Sequence, residues 1–289
     1  MGDLSLDHVG FMLRDLDAGA ERWQKLGFKL SRRSSQMGKV PGKSEMAPWA
    51  TSNHCAMFER GYLELIGVTN LENFNPWTAF LDRFEGPHIT ALRCEEADRT
   101  YASLRDRIDH FDPPLQRLRN APYGVGERPF KFRNIFSQDA HFPEGRYIII
   151  EHQTPGVIWQ EELMAQPNGA KSLFELIFCA DAQSGLLDRL ARISGESPSR
   201  AEGRELLELA GGGQLSVIDA AGFAVRYPGA PEPSQPAVAA AVISVESLVQ
   251  LAAMLEENGI LFHRSDRASL WVGSEEANGA VVEFIETDS

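Results

Sequence analysis

Two histidines begin strand-like apolar runs at matching places in the chain. His8 lies in "LSLDHVGFML", and His88 lies in "GPHITALR", eighty residues further on. Imidazole binds transition metals and transfers protons near neutral pH, so it is common in metal and catalytic sites. A lone histidine in a strand is more often structural, but two histidines at equivalent places in a repeat indicate a shared site.

The elements around each histidine follow the same order. The first copy contains a predicted strand, "LDHVGFMLR", a helix, "DLDAGAERWQKLGF", and the extended runs "HCAMFER" and "YLELIGV". Apolar residues recur at helical spacing in the helix. The second copy contains "HITALRC", "EEADRTYASLRDRI", "FKFRNIF" and "RYIIIEHQ" in the corresponding places. The chain therefore has an internal repeat with a period of roughly 80 residues.

The same order recurs twice more after Gln166. The third copy contains "SLFELIFCA", the helix "SGLLDRLARISG" and three predicted strands, "RELLELA", "GQLSVIDA" and "GFAVRYP". A linker rich in proline, residues 229–236, leads to the fourth copy, which ends in "VVEFIE". Four copies predict two domains of two copies each, residues 1–160 and residues 166–289.

The composition limits the classes of partner and compartment. The 289 residues carry a formal net charge of −13, which argues against a nucleic-acid partner because phosphate binding needs a basic surface. No apolar run approaches the length of a membrane-spanning helix, and the N-terminus lacks the pattern of a secretory signal. Cys55, Cys94 and Cys179 are widely spaced, which predicts free thiols in a reducing cytoplasm.

The repeat resembles the vicinal oxygen chelate superfamily, specifically its glyoxalase-like branch. The resemblance is carried by "LDHVGFMLRDLDAGAERWQKLGF", "GYLELIGV" and "IIIEHQTPGVIWQ". It implies an α+β fold in which four βαβββ modules pair into two partly closed, glyoxalase-like barrels. It also implies that the modules pair within one chain or swap between two chains, which would make a homodimer.

The resemblance further implies one divalent metal in the first domain. Its ligands would be His8 and His88 on the first strands of the two modules, and Glu64 and Glu151 on the last strands. Two imidazoles with carboxylates suit iron, manganese, zinc or nickel. Glu151 would either complete the metal shell or act as the base. His54 would line the cleft, as a catalytic candidate, or replace one of the metal ligands, or have a structural role.

A basic and aromatic stretch, "RLRNAPYGVGERPFKFRNIF", lies in the second module. Arg117 and Arg119, with Phe130 and Phe132, predict either a lid that receives an anionic substrate or a solvated hairpin. Strict alternation places the two phenylalanines on one face. Trp49 lies in a predicted loop, where it would contact substrate or pack over a barrel end.

The second domain lacks histidines in its first strands. Glu283 lies on its last strand without an evident partner in "GFAVRYP", and Glu175 is isolated in the sequence. We therefore predict a metal-free copy that braces the first domain or closes its cleft.

The function predicted from these patterns is that of a metal-dependent enzyme. The metal would bind two adjacent oxygens of a small organic substrate and stabilise an enolate or oxygenated intermediate, as in a lyase, an isomerase or a dioxygenase. The alternative is a metal-free protein that sequesters a small hydrophobic molecule on the same fold.

Overall fold

The first half of the chain forms one eight-stranded mixed sheet in the computed structural model, which describes residues 4–287. Its strands are β1 Ser5–Leu13, β2 Ser34–Lys39, β3 Met46–Met57, β4 Tyr62–Val68, β5 Gly86–Cys94, β6 Leu115–Tyr123, β7 Gly126–Phe136 and β8 Arg146–His152. They lie in the order β2-β3-β4-β1-β5-β8-β7-β6.

The second half repeats this arrangement. Its strands are β9 Ala170–Cys179, β10 Ser199–Ala201, β11 Arg204–Glu208, β12 Gln214–Ile218, β13 Ala237–Val245, β14 Phe262–Ser265, β15 Ser269–Val272 and β16 Val281–Glu286. Their order, β10-β11-β12-β9-β13-β16-β15-β14, matches that of the first sheet position by position. The predicted α+β fold of four βαβββ modules and two barrels is confirmed.

The first strands of paired modules join each sheet. β1 runs parallel to β4 and antiparallel to β5, and β5 runs parallel to β8. Both modules of a barrel therefore come from one chain. The edge strands β2 and β6 also lie close to each other. Arg119 Nη1 on β6 donates a hydrogen bond of 3.1 Å to Ser34 Oγ on β2. This contact helps to close the first barrel.

The helices lie between and beside the sheets. They are α1 Leu16–Lys25, α2 Thr78–Leu81, α3 Ala97–Arg105, α4 Glu161–Met164, α5 Leu186–Ser194, α6 Ala220–Arg226 and α7 Leu248–Glu257. In α1, the Asp15 carboxylate accepts hydrogen bonds from two first-turn amides, and Leu16, Ala20 and Trp23 are buried. One large apolar cluster contains residues of both halves of the chain, including Phe28 after α1 and Phe284 on β16, whose rings lie 6.2 Å apart.

Two local predictions were wrong. The segment "GFAVRYP" contributes to α6 and not to a strand, because Asp219 caps a helix there by accepting from the Gly222 amide at 2.7 Å. Trp49 lies on β3 and not in a loop, because that strand begins at Met46 and pairs with β2. A short apolar run such as "GFAVRYP" fits a helix as well as a strand, so its sequence pattern does not distinguish the two. The cap at Asp219 favours the helix there.

The limits of the predicted domains stay a prediction. The first sheet ends at His152 and the second begins at Ala170, with α4 between them. Residues 1–3 and 288–289 of the predicted domains lie outside the described residues. Across residues 4–287, no helix is both long enough and apolar enough to span a bilayer.

Candidate functional site

An irregularity near the start of β1 brings two adjacent side chains together. The ladder between β1 and β5 shifts register between Leu6 and His8, so Asp7 falls at a bulge. In a regular strand Asp7 and His8 would lie on opposite faces. Here Asp7 Oδ1 and His8 Nδ1 lie 2.6 Å apart, and both residues are buried.

The Asp7 carboxylate bridges two imidazoles. Its second oxygen, Oδ2, lies 2.9 Å from His152 Nε2 at the end of β8. Burial alone would raise the pKa of Asp7, but the charge and hydrogen bonds of His152 and His8 hold that pKa well below its usual range. An ionised carboxylate only accepts hydrogen bonds, so His8 Nδ1 and His152 Nε2 both donate to it.

Glu64 lies on the other side of His8. His8 Nε2 is 3.7 Å from Glu64 Oε2, and the Asn53 amide donates to Glu64 Oε1. The Tyr62 ring stacks on His8 with centroids 4.4 Å apart. The parallel register of β1 and β4 produces this arrangement, because it places His8 opposite Tyr62 and Gly10 opposite Glu64. Four side chains therefore form one row, Glu64–His8–Asp7–His152. They come from three strands, β4, β1 and β8.

Burial keeps the phenol of Tyr62 neutral. Its pKa lies well above the usual value, first because the group is buried and second because Asp7 and Glu64 are negative. The positive charge of Arg119 opposes this increase and also reaches Cys55, which is opposite Glu64 in the ladder of β3 and β4. The row of acid and imidazole groups thus has a cation beside it.

Two arginines and two phenylalanines share the inner face of the β6–β7 hairpin. Arg117 lies opposite Phe132 and Arg119 opposite Phe130 in the ladder, and the two phenylalanine rings stack at 4.6 Å. The Arg119 guanidinium is 5.5 Å from the Phe130 ring centre, and that of Arg117 is 5.9 Å from the Phe136 ring centre. Four of the five predicted substrate-binding residues therefore lie together.

Arg117 lacks a counter-ion in the described part of the chain. Its pKa is lowered by burial, with no carboxylate contributing to the shift. A half-buried guanidinium without a partner is unfavourable and favours the binding of an anion. Nearby on β7, Asn134 is buried, and its Oδ1 is also without a hydrogen-bond partner among residues 4–287.

Trp49, the fifth predicted substrate-binding residue, packs against the same inner apolar cluster as Phe132. Its ring meets Trp77 edge-to-face at 6.2 Å, and its Nε1 donates to the Lys39 carbonyl at 3.2 Å. The ring lies so close to Gly38 that a Cβ there would be 1.8 Å from it. Trp49 therefore packs within an aromatic group, whereas the rings that Arg117 and Arg119 contact are those of Phe136 and Phe130.

His88 does not join His8. Its Nε2 donates to the Phe84 carbonyl at 2.9 Å, and its ring packs against Phe80 and Phe84. Ala91, and not His88, lies opposite His8 in the ladder, so His88 is three positions, or about 10 Å, further along β5. Burial lowers the pKa of His88 from 6.5 to about 4, which keeps the imidazole neutral.

Glu151 and His54 also lie away from the row. Glu151 Oε2 accepts from the Ala97 amide at 2.8 Å, so this carboxylate caps α3 on the helix side of β8. Strand alternation explains the placement, because Ile150 belongs to the inner cluster and His152 continues that face. His54 Nδ1 lies 2.7 Å from the Ser31 carbonyl, which is a structural contact.

The described side chains do not fit the metal centre that the resemblance implies. Of the four predicted ligands, only His8 and Glu64 approach each other. Residues 4–287 contain no group of three or more His, Cys, Asp or Glu arranged to hold a metal ion. Protein sites for transition metals usually have at least three protein ligands. The four-ligand centre is therefore not assembled by these side chains.

The row borders a cleft between the two sheets. This cavity of about 670 Å³ is lined by Asp7 and His152, by Arg93 and Trp159, and by the turn at 211–213. Trp159 packs edge-to-face on His152 at 4.9 Å and on Tyr62 at 5.7 Å. The guanidinium of Arg93 lies 5.4 Å from the Trp159 ring. Trp159 thus packs beside His152 and Tyr62 where the row meets the cleft.

The second barrel pairs its buried charges internally. Glu175 binds Arg204 through two hydrogen bonds of 2.9 and 3.1 Å, and Glu283 binds Arg226 at 2.9 Å. Tyr227 donates to Glu283 at 2.6 Å. The predictions that Glu175 is isolated and that Glu283 has no partner in "GFAVRYP" were wrong. Their partners were hidden because single arginines in apolar runs resemble surface positions in the sequence.

These features define a protein with two paired-module barrels, of which the first contains a buried acid–imidazole row. A comparison with protein families matches residues 6–194 to the family described as "Glyoxalase-like domain". The chain therefore belongs to the glyoxalase-like domain family, within the vicinal oxygen chelate superfamily, whose members commonly use a divalent metal. No curated protein sequence matches the chain significantly.

Solved structures share the fold at low sequence identity. A hypothetical protein from Staphylococcus aureus superimposes with a TM-score of 0.65 and 12% identity, covering 98% of this chain and 99% of that one. A triple mutant of 4-hydroxymandelate synthase from Streptomyces coelicolor gives 0.59 and 11%, covering 99% and 93%. A fusion of a xylose isomerase-like TIM barrel with 4-hydroxyphenylpyruvate dioxygenase gives 0.57 and 11%, covering this whole chain and half of that one.

Proposed function

We propose that the first barrel is the active site of an enzyme that binds a small organic anion and transfers a proton on it. The observation that carries the proposal is the position of His8, whose Nδ1 is held by ionised Asp7 while its Nε2 faces Glu64 at 3.7 Å. An imidazole oriented by a carboxylate, with a free nitrogen, is the arrangement of a general base. The unpaired Arg117 supplies the site for the anion.

Each group has a distinct role in this reaction. Arg117 binds a carboxylate of the substrate, because a guanidinium offers two parallel N–H donors to it. His8 Nε2 takes a proton from the carbon next to a carbonyl, and the electron pair of the broken C–H bond forms an enolate. The imidazolium then lies between Asp7 and Glu64, which stabilise its charge. When the deprotonated carbon carries a hydroxyl group, transfer of the hydroxyl proton to the enolate oxygen and return of the abstracted proton to the former carbonyl carbon complete an isomerisation. When the carbon on the other side of the deprotonated carbon carries a leaving group, the enolate electron pair re-forms the carbonyl and expels that group, and the enzyme is a lyase.

The metal-dependent form of this function needs more ligands than the barrel supplies. His8 and Glu64 would provide two donors, and the contacts of His88 with Phe84 and of Glu151 with Ala97 engage the other two residues elsewhere. A metal held there would polarise the substrate carbonyl and stabilise the enolate oxygen. We therefore assign the proton transfer to the side chains alone and make metal content part of the test.

A second candidate function is sequestration of a small molecule. The stacked Phe130 and Phe132 and the unpaired Arg117 would suffice to bind an amphipathic anion without chemistry. This candidate requires no role for the row of Asp7, His8 and Glu64 beyond stability.

Deuterium exchange distinguishes these functions. The purified protein is incubated in D2O with a panel of small 2-oxo and 2-hydroxy carboxylates, and NMR follows the C–H signal beside the carbonyl or hydroxyl group. We expect exchange with at least one acid, lowered about 100-fold or more in His8→Gln while binding is retained. Arg117→Gln should lose binding, whereas the control Arg99→Gln, an exposed residue of α3, should lose neither.

Each other outcome has a defined meaning. Binding without exchange, unchanged in His8→Gln, would support sequestration. Exchange that disappears when a tightly held metal is removed, and returns with that metal, would support the metal-dependent form. Equal exchange in the wild type and in His8→Gln would refute the role of His8.

A further inference from the structure

A second groove, which shares no lining residue with the row of Glu64, His8, Asp7 and His152, is lined by guanidinium groups. It encloses about 350 Å³ and lies between the end of α3, the turn at Asp139–His141 and helix α5. Its walls carry Arg105, Arg107, Arg189 and Arg192, together with His110 and His141. This concentration of basic side chains is unexpected in a chain whose formal net charge is −13.

One of the four arginines already has a counter-ion. Arg189 forms two hydrogen bonds with the Glu144 carboxylate, of 3.0 and 2.8 Å, so its charge is neutralised and its position is fixed. Because Glu144 is buried and extends from the first half of the chain, this pair also joins the two halves beside the groove. The Arg189 side chain therefore lines the groove in a fixed position.

The other three arginines have no carboxylate within ion-pair distance in the described part of the chain. Arg107 contacts only main-chain carbonyls, those of Ser103 at 3.3 Å and Ile193 at 3.4 Å. Burial lowers the pKa of Arg107, and the more distant Glu196 and Asp106 offset this only in part. The remaining two arginines are exposed, and Arg105 contacts the ring of Tyr101.

The two histidines add further donors. The rings of His110 and His141 are parallel within 2° and have centroids 3.5 Å apart. His110 has a φ of +72°, a conformation that residues other than glycine seldom adopt. The chain therefore holds this ring against its neighbour at a strained position. The carboxylates that line the groove are Asp106 and Asp109.

We propose that this groove binds the phosphate group of a small phosphorylated molecule. Three unpaired guanidinium groups and two imidazoles border one cavity from three separate elements. A tetrahedral phosphate offers acceptor oxygens in several directions, whereas a carboxylate presents two oxygens in one plane. The groove is separate from the row of Asp7 and His8, so this site does not depend on the proposed reaction.

Calorimetry with inorganic pyrophosphate tests the proposal on the full-length protein. Titrations use inorganic phosphate, pyrophosphate and malonate in turn, at an ionic strength held constant with sodium chloride. We expect saturable binding of pyrophosphate, with phosphate weaker and malonate weaker still. Arg105→Gln/Arg192→Gln should weaken the pyrophosphate affinity about tenfold or more, because it removes two charged donors from the groove.

A matched double variant controls for net charge. Arg99→Gln/Arg264→Gln removes two exposed arginines that do not line the groove, so its affinity for pyrophosphate should remain that of the wild type. The proposal is overturned if pyrophosphate does not bind at about 10 mM, if both double variants weaken it equally, or if malonate binds as tightly as pyrophosphate. Because all four substituted residues are exposed, circular dichroism should show both variants folded.

Discussion

The protonation of His88 should make the protein less stable in mild acid. The imidazole is 1% exposed, and its Nδ1 has no hydrogen-bond partner among the described residues. In the unfolded chain it titrates near 6.5, and in the folded protein burial lowers its pKa to about 4. The unfolded state therefore takes up the proton first. The free energy of unfolding falls as the pH decreases through 6.5, and this loss levels off below about pH 4.

The size of the effect follows from the two pKa values of His88. At about pH 5 most unfolded chains carry the proton and most folded chains do not. This difference lowers the free energy of unfolding by about 2 kcal/mol relative to about pH 7.5. His88→Gln retains a donor for the Phe84 carbonyl but cannot titrate, so it should lack this part of the acid-induced loss.

Urea unfolding monitored by tryptophan fluorescence measures the difference. Wild type, His88→Gln and the control His141→Gln are each unfolded at both pH values, and the loss of stability on acidification is compared between proteins. His141 is exposed, so its variant should show the same loss as the wild type. If His88→Gln also loses as much stability as the wild type, or if NMR shows His88 titrating near 6.5, the buried neutral imidazole is refuted.

Two further predictions concern packing in each half of the chain. Arg226→Met leaves the buried Glu283 carboxylate without its cation and should lower the free energy of unfolding by about 3–5 kcal/mol. Adding Glu283→Gln to this variant should restore most of the lost stability, because it also removes the unpaired charge. A loss below about 1 kcal/mol for Arg226→Met in urea unfolding would contradict this pairing. Gly67→Ala should lower the melting temperature, because a Cβ there would lie 2.6 Å from the Leu16 Cα, at a cost of about 1–3 kcal/mol. Gly126→Ala should not, because the nearest atom to a Cβ there, the Tyr123 carbonyl oxygen, would be 3.9 Å away.

The repeat was predictable from the sequence because it depends on local patterns. Alternating strands, amphipathic helices and the spacing between copies were sufficient to predict the order of strands and helices, and the family resemblance implied the two barrels. The exception, "GFAVRYP", is a short apolar run in which strand and helix periodicities cannot be separated. Its helix depends on the Asp219 side chain, a single capping contact.

The row at the site was less predictable because it depends on register. Asp7 and His8 meet only through a bulge, which is set by how β1 pairs with β5 and is not visible in either strand alone. On β8 the structure places His152 on the same face as Ile148 and Ile150, which belong to the inner cluster. The resemblance instead favoured the neighbouring glutamate, whose carboxylate caps α3.

The two barrels differ in how their buried charges are paired, and this difference supports the site that we propose in the first barrel. In the second barrel Glu175 and Glu283 flank Val242 on adjacent strands, and Arg204 and Arg226 neutralise them. A barrel whose buried charges are already paired gains little by binding an ion.

The first barrel has the opposite arrangement. Its acids are distributed along the row of Glu64 and Asp7, while Arg117 on the facing hairpin has no carboxylate partner among residues 4–287. Because a half-buried guanidinium is stabilised by any anion that reaches it, the first barrel gains free energy from a ligand that the second cannot use. Supplying Arg117 with an internal partner, by Phe136→Glu on the strand beside it, should therefore weaken anion binding in the first barrel, and unchanged affinity in calorimetry would count against this reasoning.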